Sequence, residues 1–249
     1  TQTISCWIKI SKISGSPRIL FLRNSDGTTQ GGLYISGDKI KYFGRVGGTG
    51  VGDVNTNGVV HDFSSWYNIV LTLDVSNLSI KIYINGKEQE LTTNATIVDT
   101  FHPLFIASEV NIGREPVAGG SLFDGYIAEF NFIDGLALDP SYFGFTNPTT
   151  QKWSPKRYTG EYGTNGFYLD FAGTNVGTGA VGTVGEDKSG NGNHFTSTNV
   201  ASHDVVPDSP TNNFATLNSL AGNIDPAEGN LKIAPSNAHS AAGTTKFVP

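Results

Sequence analysis

The sequence predicts an all-β protein: a two-sheet antiparallel sandwich followed by an irregular β-rich module. Three observations predict it. Apolar and polar residues alternate in short runs rich in Ile, Val, Leu, Tyr and Phe, the pattern of a strand with one buried face. Turn sequences such as Asn24-Ser25-Asp26-Gly27, Gly37-Asp38 and Asn85-Gly86 separate these runs and leave no room for crossover helices. Charged residues are 15% of the 249 positions while glycine alone supplies 31, a balance that suits many turns and excludes coiled coils. A single open sheet would hold its apolar face in water, at about 25 cal/mol per Å² of apolar area, so a second layer must cover the first.

Taken in order, Thr3–Ile10 sets Ile4, Cys6, Ile8 and Ile10 on one side and Thr3, Ser5, Trp7 and Lys9 on the other. Arg18–Arg23 is a second strand, ended by the turn at Asn24. Gly32–Ser36 and Lys39–Arg45 form a hairpin around Gly37-Asp38. Gly44–Gly58 reads as a glycine-rich loop of little hydrophobic content. Trp66–Asp74 and Leu78–Ile84 pair around Val75-Ser76-Asn77, and Asn85-Gly86-Lys87 follows, its Asn-Gly pair supplying the positive φ values of a tight turn. Leu104–Ala107, Val110–Gly113 and Tyr126–Ile133 complete about nine strands by the period-two rule.

The texture changes after Ile133. Asp139 and Pro140 read as the N-cap and first position of a short helical piece. Phe145–Tyr158 is aromatic and proline-punctuated without clear period. Phe167–Phe171 is a strand candidate, Ala172–Gly185 a flexible loop, Asp187–Asn193 a dense turn and Pro207–Pro210 a linker. The division this implies is a sandwich over residues 1–140, a connecting module over 141–212, and a linker with the start of a further β domain over 213–249.

The 16 Lys and Arg against 22 Asp and Glu give a net charge of −6. The one basic cluster, Lys152–Arg157, is broken by Pro155, so nucleic acid is not an expected partner. No apolar run reaches membrane-spanning length, and no signal-peptide pattern opens the chain. Cys6 is the single cysteine; it excludes an internal disulfide and reads as a buried structural thiol. That suits folding in a reducing compartment and leaves a later extracellular life open. The chain has no methionine and Thr1 already adjoins the first strand, so a longer polypeptide is expected.

Several motifs recur together: Ser5-Cys6-Trp7-Ile8-Lys9, Trp66-Tyr67-Asn68-Ile69-Val70, Ile82-Tyr83-Ile84-Asn85-Gly86, Asn111-Ile112-Gly113 and Phe123-Asp124-Gly125-Tyr126-Ile127-Ala128-Glu129-Phe130. On these, Thr3 to Leu138 resembles the laminin-G-like, concanavalin A-like jelly-roll superfamily. The resemblance implies a domain that binds surfaces or glycans and only sometimes does chemistry, with calcium or glycan held on one rim in some members. The run from Phe132 to Gly144, with Trp153-Ser154-Pro155-Lys156, Tyr162–Phe171, Asp187–Phe195 and Asp208–Phe214, resembles tailed-phage virion proteins, marine phages in particular. That resemblance implies a tail fibre, spike or capsid-fibre decoration subunit, assembled in the host cytoplasm and then extracellular. Its implied partners are other virion subunits, a host-surface glycan and its own copies in a homotrimer.

Candidate site residues are few. Asp53-Val54-Asn55-Thr56-Asn57-Gly58 copies the first half of a calcium loop, with oxygen ligands at alternate positions and then Gly. Ser64 stands where a bidentate Glu should close it, and an Asx-rich turn explains the same residues. Asp187, Ser189, Asn191 and Asn193 pose the same choice between calcium and a turn. Tyr42, Phe43 and Arg45 are candidates to stack on a sugar ring, against core packing for at least one aromatic. Arg114 is a further ligand candidate, or one half of a solvated pair with Glu115. Gly47–Gly58, Asn24–Gly31 and Arg114–Ser121 are the rim loops able to carry specificity. The five histidines lack metal-ligand spacing. Neither the paired carboxylates of glycoside hydrolases, nor a nucleophile elbow, nor a phosphate-binding loop is present, so no enzyme is expected. The expected function is a virion protein displaying a lectin-like sandwich for glycan attachment. A purely structural assembly module is the alternative, and a glycan-hydrolase fragment a distant third.

Overall fold

The structure, a computed structural model, describes residues 1–25, 27–98, 107–117, 120–217, 226–227 and 229–233. The fold is all-β, of the two-sheet antiparallel sandwich class. The first six-stranded sheet has the order β14 (Phe167–Leu169), β11 (Asp124–Asp134), β1 (Gln2–Lys12), β6 (Tyr67–Asp74), β7 (Ser79–Ile84) and β8 (Lys87–Glu88). The second has the order β10 (Glu109–Ile112), β2 (Arg18–Arg23), β3 (Gln30–Ser36), β4 (Lys39–Val46), β5 (Thr49–Thr56) and β9 (Leu91–Ala95). Neighbours that are far apart in sequence, such as β1 beside β6, give the jelly-roll character. Two short hairpins, β12 (Gly144–Thr146) with β13 (Trp153–Pro155) and β15 (Pro226–Ala227) with β16 (Lys232–Ile233), complete the description.

By compactness the chain divides into two units. One holds residues 1–8, 67–88 and 127–213; the other holds 9–66, 89–126 and 214–249.

In the first unit, β1 and β6 pair from Gln2↔Leu73 to Ile8↔Tyr67. The alternation of β1 leads one to expect a single covered face, yet every residue from Gln2 to Ser11 is buried. Thr3 explains part of this: its hydroxyl donates to Leu136 O at 2.7 Å and accepts from Leu138 N at 2.9 Å. The chain after β11 therefore lies over the strand's polar face. The residues beyond it build a second core there, of Val70, Ile133, Phe143, Tyr158, Tyr162 and Tyr168, with Tyr83 and Leu138 packed against it. Asp139 caps a short 3-10 turn at Pro140–Tyr142, accepting from Ser141 N at 2.8 Å. β14 adds an outer strand on β11, and Phe167 stacks on Phe132 at 5.3 Å and on Phe130 at 5.9 Å. The phenols of this core are satisfied: Tyr168 donates to Glu129 Oε2 at 2.6 Å and Tyr162 to Asn131 Oδ1 at 3.0 Å. Burial raises both phenols far above their ordinary pKa.

In the second unit, register alone sorts the side chains. Leu20, Leu33, Tyr42 and Val54 are directly opposite one another across β2, β3, β4 and β5, and all are buried. The glycine-rich segment expected as a loop is in fact β5. Val51, Val54 and Thr56 are buried at positions that its small residues obscure, and Gly47 and Gly48, with φ of 56° and 79°, make the tight turn from β4. The 214–233 segment is tied to this unit at three points. Lys9, 1% exposed, donates from Nζ to Phe214 O at 2.8 Å; Tyr126 Oη donates to Gly229 O at 2.6 Å; Asn230 Nδ2 donates to Ser11 O at 2.9 Å. Of the strands expected from the sequence, Leu104–Ala107 lies almost wholly outside the described residues.

Candidate functional site on the solvent face of the second sheet

The face of the second sheet opposite the Leu20–Val54 row is chemically mixed and mostly half-buried, with Phe21, Gly32 and Phe43 buried at its centre. Period two and the observed register place its side chains in rows across the strands. One row runs Arg18, Tyr34, Lys41, Asn55, Thr92. The next runs Asn111, Phe21, Gly32, Phe43, Asp53, Ala95. The third runs Glu109, Arg23, Gln30, Arg45, Gly50.

At the β2 side the face is aromatic and cationic. The Arg18 guanidinium lies 4.6 Å from the Tyr34 ring centroid, 5.3 Å from Phe43 and 5.9 Å from Phe21. Tyr34 and Phe43 meet edge to face at 5.6 Å. Gly32 makes room for this: a Cβ there would come 2.4 Å from Leu20 O and 3.2 Å from the Phe43 ring. Glu115 holds Arg18 in place at 2.9 Å, and Glu109 holds Arg23 at 2.6 Å. Hydrogen bonds from Asn111 and Arg23 keep the Glu109 carboxyl below its usual range. Burial raises the Tyr34 phenol and the charge of Asp53 adds to it, so Tyr34 keeps its proton at neutral pH.

At the β5 side the face is a polar row. Asn94 Nδ2 donates to Asp53 Oδ1 at 3.2 Å and to Asn55 Oδ1 at 3.0 Å, and the Thr92 hydroxyl donates to Asn57 Oδ1 at 2.9 Å. Between the two regions stand Lys41 and Arg45, which make no ion pair among the described residues. Arg45 is exposed and 5.9 Å from the Phe43 ring.

The structure lines up three of the sequence-derived candidates, Asp53, Asn55 and Asn57, through Asn94 and Thr92, and sets Arg45 beside Phe43, the residue across from Asp53. It parts the others from them. Tyr42 is 0% exposed and points to the buried side, opposite to Phe43, so its ring offers nothing to a sugar. Arg114 sits at a bridge to Leu122 with its Nε buried and without a hydrogen-bond partner, while Glu115 pairs with Arg18 rather than with Arg114. Of the calcium-loop pattern, Asp53 and Asn55 lie in β5, about 7 Å apart as alternate strand residues, and Asn57 lies in the bend just past its end. The Asn94 amide already fills the space between the first two with a donor. Ser64 does not close a ring around them; its N–H and hydroxyl both donate to Asp62, at 2.9 and 2.5 Å.

The second calcium candidate is a clasp. Asp187 accepts from Tyr168 N, Ser189 N, Ser189 Oγ and Asn193 N, each at 2.9 Å. Burial pushes its carboxyl up, but these bonds outweigh it and hold the group below the usual range. The Asn191 amide donates to the carbonyls of Gly163 and Gly166 at 2.6 and 2.9 Å, and Asn193 donates to those of Thr164 and Gly166 at 3.2 and 2.9 Å. Both Asp187 oxygens thus already accept hydrogen bonds, and the Asn191 and Asn193 amides donate to backbone carbonyls. Among the described residues no group of three or more His, Cys, Asp and Glu side chains gathers as a metal site.

Sequence reasoning missed Arg18, Tyr34, Thr92 and Asn94. Leu91-Thr92-Thr93-Asn94-Ala95 has no clear apolar–polar alternation, and the partners of Thr92 and Asn94 follow only from the pairing of β9 with β5.

Comparison with known proteins agrees with this architecture. The Laminin_G_3 family model, described as the concanavalin A-like lectin/glucanases superfamily, matches residues 1–141. No curated protein matches the sequence. A Bacteroides ovatus ATCC 8483 protein, provisionally described as carbohydrate binding, superposes with a TM-score of 0.51 at 18% identity, over 77% of this chain and 50% of that one. Domain 4 of AbnA, a GH43 extracellular arabinanase of Geobacillus stearothermophilus solved with arabinotriose, gives 0.43 at 23% identity, over 56% of this chain and 63% of that one. The CBM40 of the Ruminococcus gnavus IT-sialidase, solved with α2,3-sialyllactose, gives 0.40 at 16% identity, over 50% of this chain and 69% of that one. The chain thus spans half the length of the Bacteroides protein, and the likeness is one of fold.

Proposed function

The chain belongs to the concanavalin A-like lectin/glucanases superfamily, and on that premise we propose that it is a non-enzymatic glycan-binding protein whose binding face is the solvent side of the second sheet. The observation that carries this reading is the joined polar row of Asp53, Asn55, Asn57, Thr92 and Asn94 beside the Arg45 guanidinium. Amide and carboxylate heads at hydrogen-bonding distance from one another are fixed in place, and they present both donors and acceptors to sugar hydroxyls. The carboxylates Glu109 and Glu115 on this face are each held by an arginine, an arrangement suited to supporting the surface rather than to acid–base work.

The reading extends to setting. The resemblance of Phe132–Gly144 and of the later motifs to tailed-phage virion proteins supports a fibre or decoration subunit that attaches to host-surface glycans, assembled as a homotrimer with other virion subunits. Light scattering tests the trimer, and a monomer at high concentration removes it. A glycan array carrying host-surface and plant-type polysaccharides tests the central claim. The wild-type chain should bind at least one class, and the Asn55→Ala, Asn94→Ala double variant should lose about tenfold or more in affinity, at about 1 kcal/mol per lost hydrogen bond. Absence of binding across the array would remove the reading.

A further inference from the structure

We propose that this face holds a linear glycan along β5, gripping consecutive internal rings rather than a chain end. The inference rests on the glycan reading above and specifies the form of its ligand.

Geometry carries it. Asp53 and Asn55 stand at alternate residues of β5, about 7 Å apart, and Asn57 follows just past the strand's end, so the row has room for about two to three sugar rings in line. The heads lie side by side along a strand, with Lys41 directly across from Asn55 and Arg45 across from the exposed Gly50. A pocket for a chain end needs convergent groups and a wall; this row is a rail.

The rail is also set before a ligand arrives. Thr92 and Asn94, both exposed on β9, bond to Asp53 and Asn55 of β5 and to Asn57 just past it, so little side-chain freedom remains to be lost on binding. Of the rings on this face, Phe43 and Phe21 are 8% and 2% exposed beside Arg18, and the half-buried Tyr34 already carries the Arg18 guanidinium at 4.6 Å. Recognition therefore falls on the hydroxyl edges of the ring, repeated along the chain.

Calorimetric titration of the full chain with cello-, xylo-, arabino- and galacto-oligosaccharides of one to six rings tests this. In at least one series affinity should rise about tenfold or more from one ring to three and stay flat beyond, as the rail fills. Asn55→Ala, in the middle of the rail, should lower three-ring affinity about fivefold while its circular dichroism stays unchanged. A single ring bound as tightly as six overturns the inference and leaves the glycan reading standing. Wild-type affinity in a folded Asn55→Ala variant overturns the placement along β5. No binding in any series and none on the array removes the reading beneath it as well.

Discussion

The indole Nε1 of Trp153 donates to Asn68 Oδ1 at 3.0 Å, joining residues 85 positions apart. Asn68 is fully buried on β6, where its amide nitrogen donates to Cys6 O at 3.2 Å and its backbone N–H donates to Asn85 Oδ1 at 2.8 Å. The Trp153 ring lies against two glycines: a Cβ on Gly86 would come 2.5 Å from it and one on Gly144 2.4 Å. Trp153→Phe keeps most of the ring but leaves a buried acceptor unpaired. It should cost about 1–3 kcal/mol in chemical denaturation. Gly144→Ala should cost about the same by overpacking, and a neutral result for both would show that the contact contributes nothing.

Arg18 and Glu115 are coupled. Their side chains are 16% and 19% exposed, less than those of the other ion pairs on this sheet face. A double-mutant cycle with Arg18→Ala and Glu115→Ala should give a coupling of about 1 kcal/mol. Arg18→Ala alone should cost more, because it also uncovers Phe21, Tyr34 and Phe43.

Asp187 makes stability depend on pH. Its folded-state carboxyl titrates below the 3.8 of a free aspartate, so its contribution is complete above that value and is lost as pH falls through the lower, folded-state pKa. Asp187→Asn should be less stable than wild type by about 2 kcal/mol at neutral pH, with the gap closing below pH 3.8. A gap that is constant down to strong acid would show that the carboxylate charge is irrelevant to the clasp.

Cys6 should be silent in the native protein. It is fully buried, and burial pushes its thiol up to about 12, so almost no thiolate exists at neutral pH. Alkylation by iodoacetamide should follow the fraction unfolded across a denaturant series. Rapid labelling without denaturant would contradict the burial.

How much of this was legible beforehand depended on where the physics was local. Strand alternation and the Asn85-Gly86 turn are local, and so is the Asp139-Pro140 cap; all appear in the structure where the sequence placed them. β5 was hidden because glycines carry no alternation signal and an irregularity opposite Gly50–Gly52 puts Val51 and Val54 three residues apart; only Val54 and Thr56 keep period two. Asp53 and Asn55 show the same dependence on context: alternate oxygens converge in a loop but stand apart in a strand. Tyr42 and Phe43 could not be told apart without register, since one residue's shift exchanges the two faces. The Asn94 and Thr92 partners, and the second core around Tyr158 and Tyr162, depend on chain segments meeting across long separations.

That second core sets a boundary for anyone trimming this polypeptide. A fragment cut at residue 141, where the family match ends, would lack the strand that finishes one side of the first sheet and the tyrosines over Val70 and Ile133. It would present bare backbone groups next to an oily patch, the conditions for clumping in solution. A usable recombinant version keeps everything through the clasp at Asp187–Asn193, and also Phe214 and Asn230, which bond the buried Lys9 and Ser11.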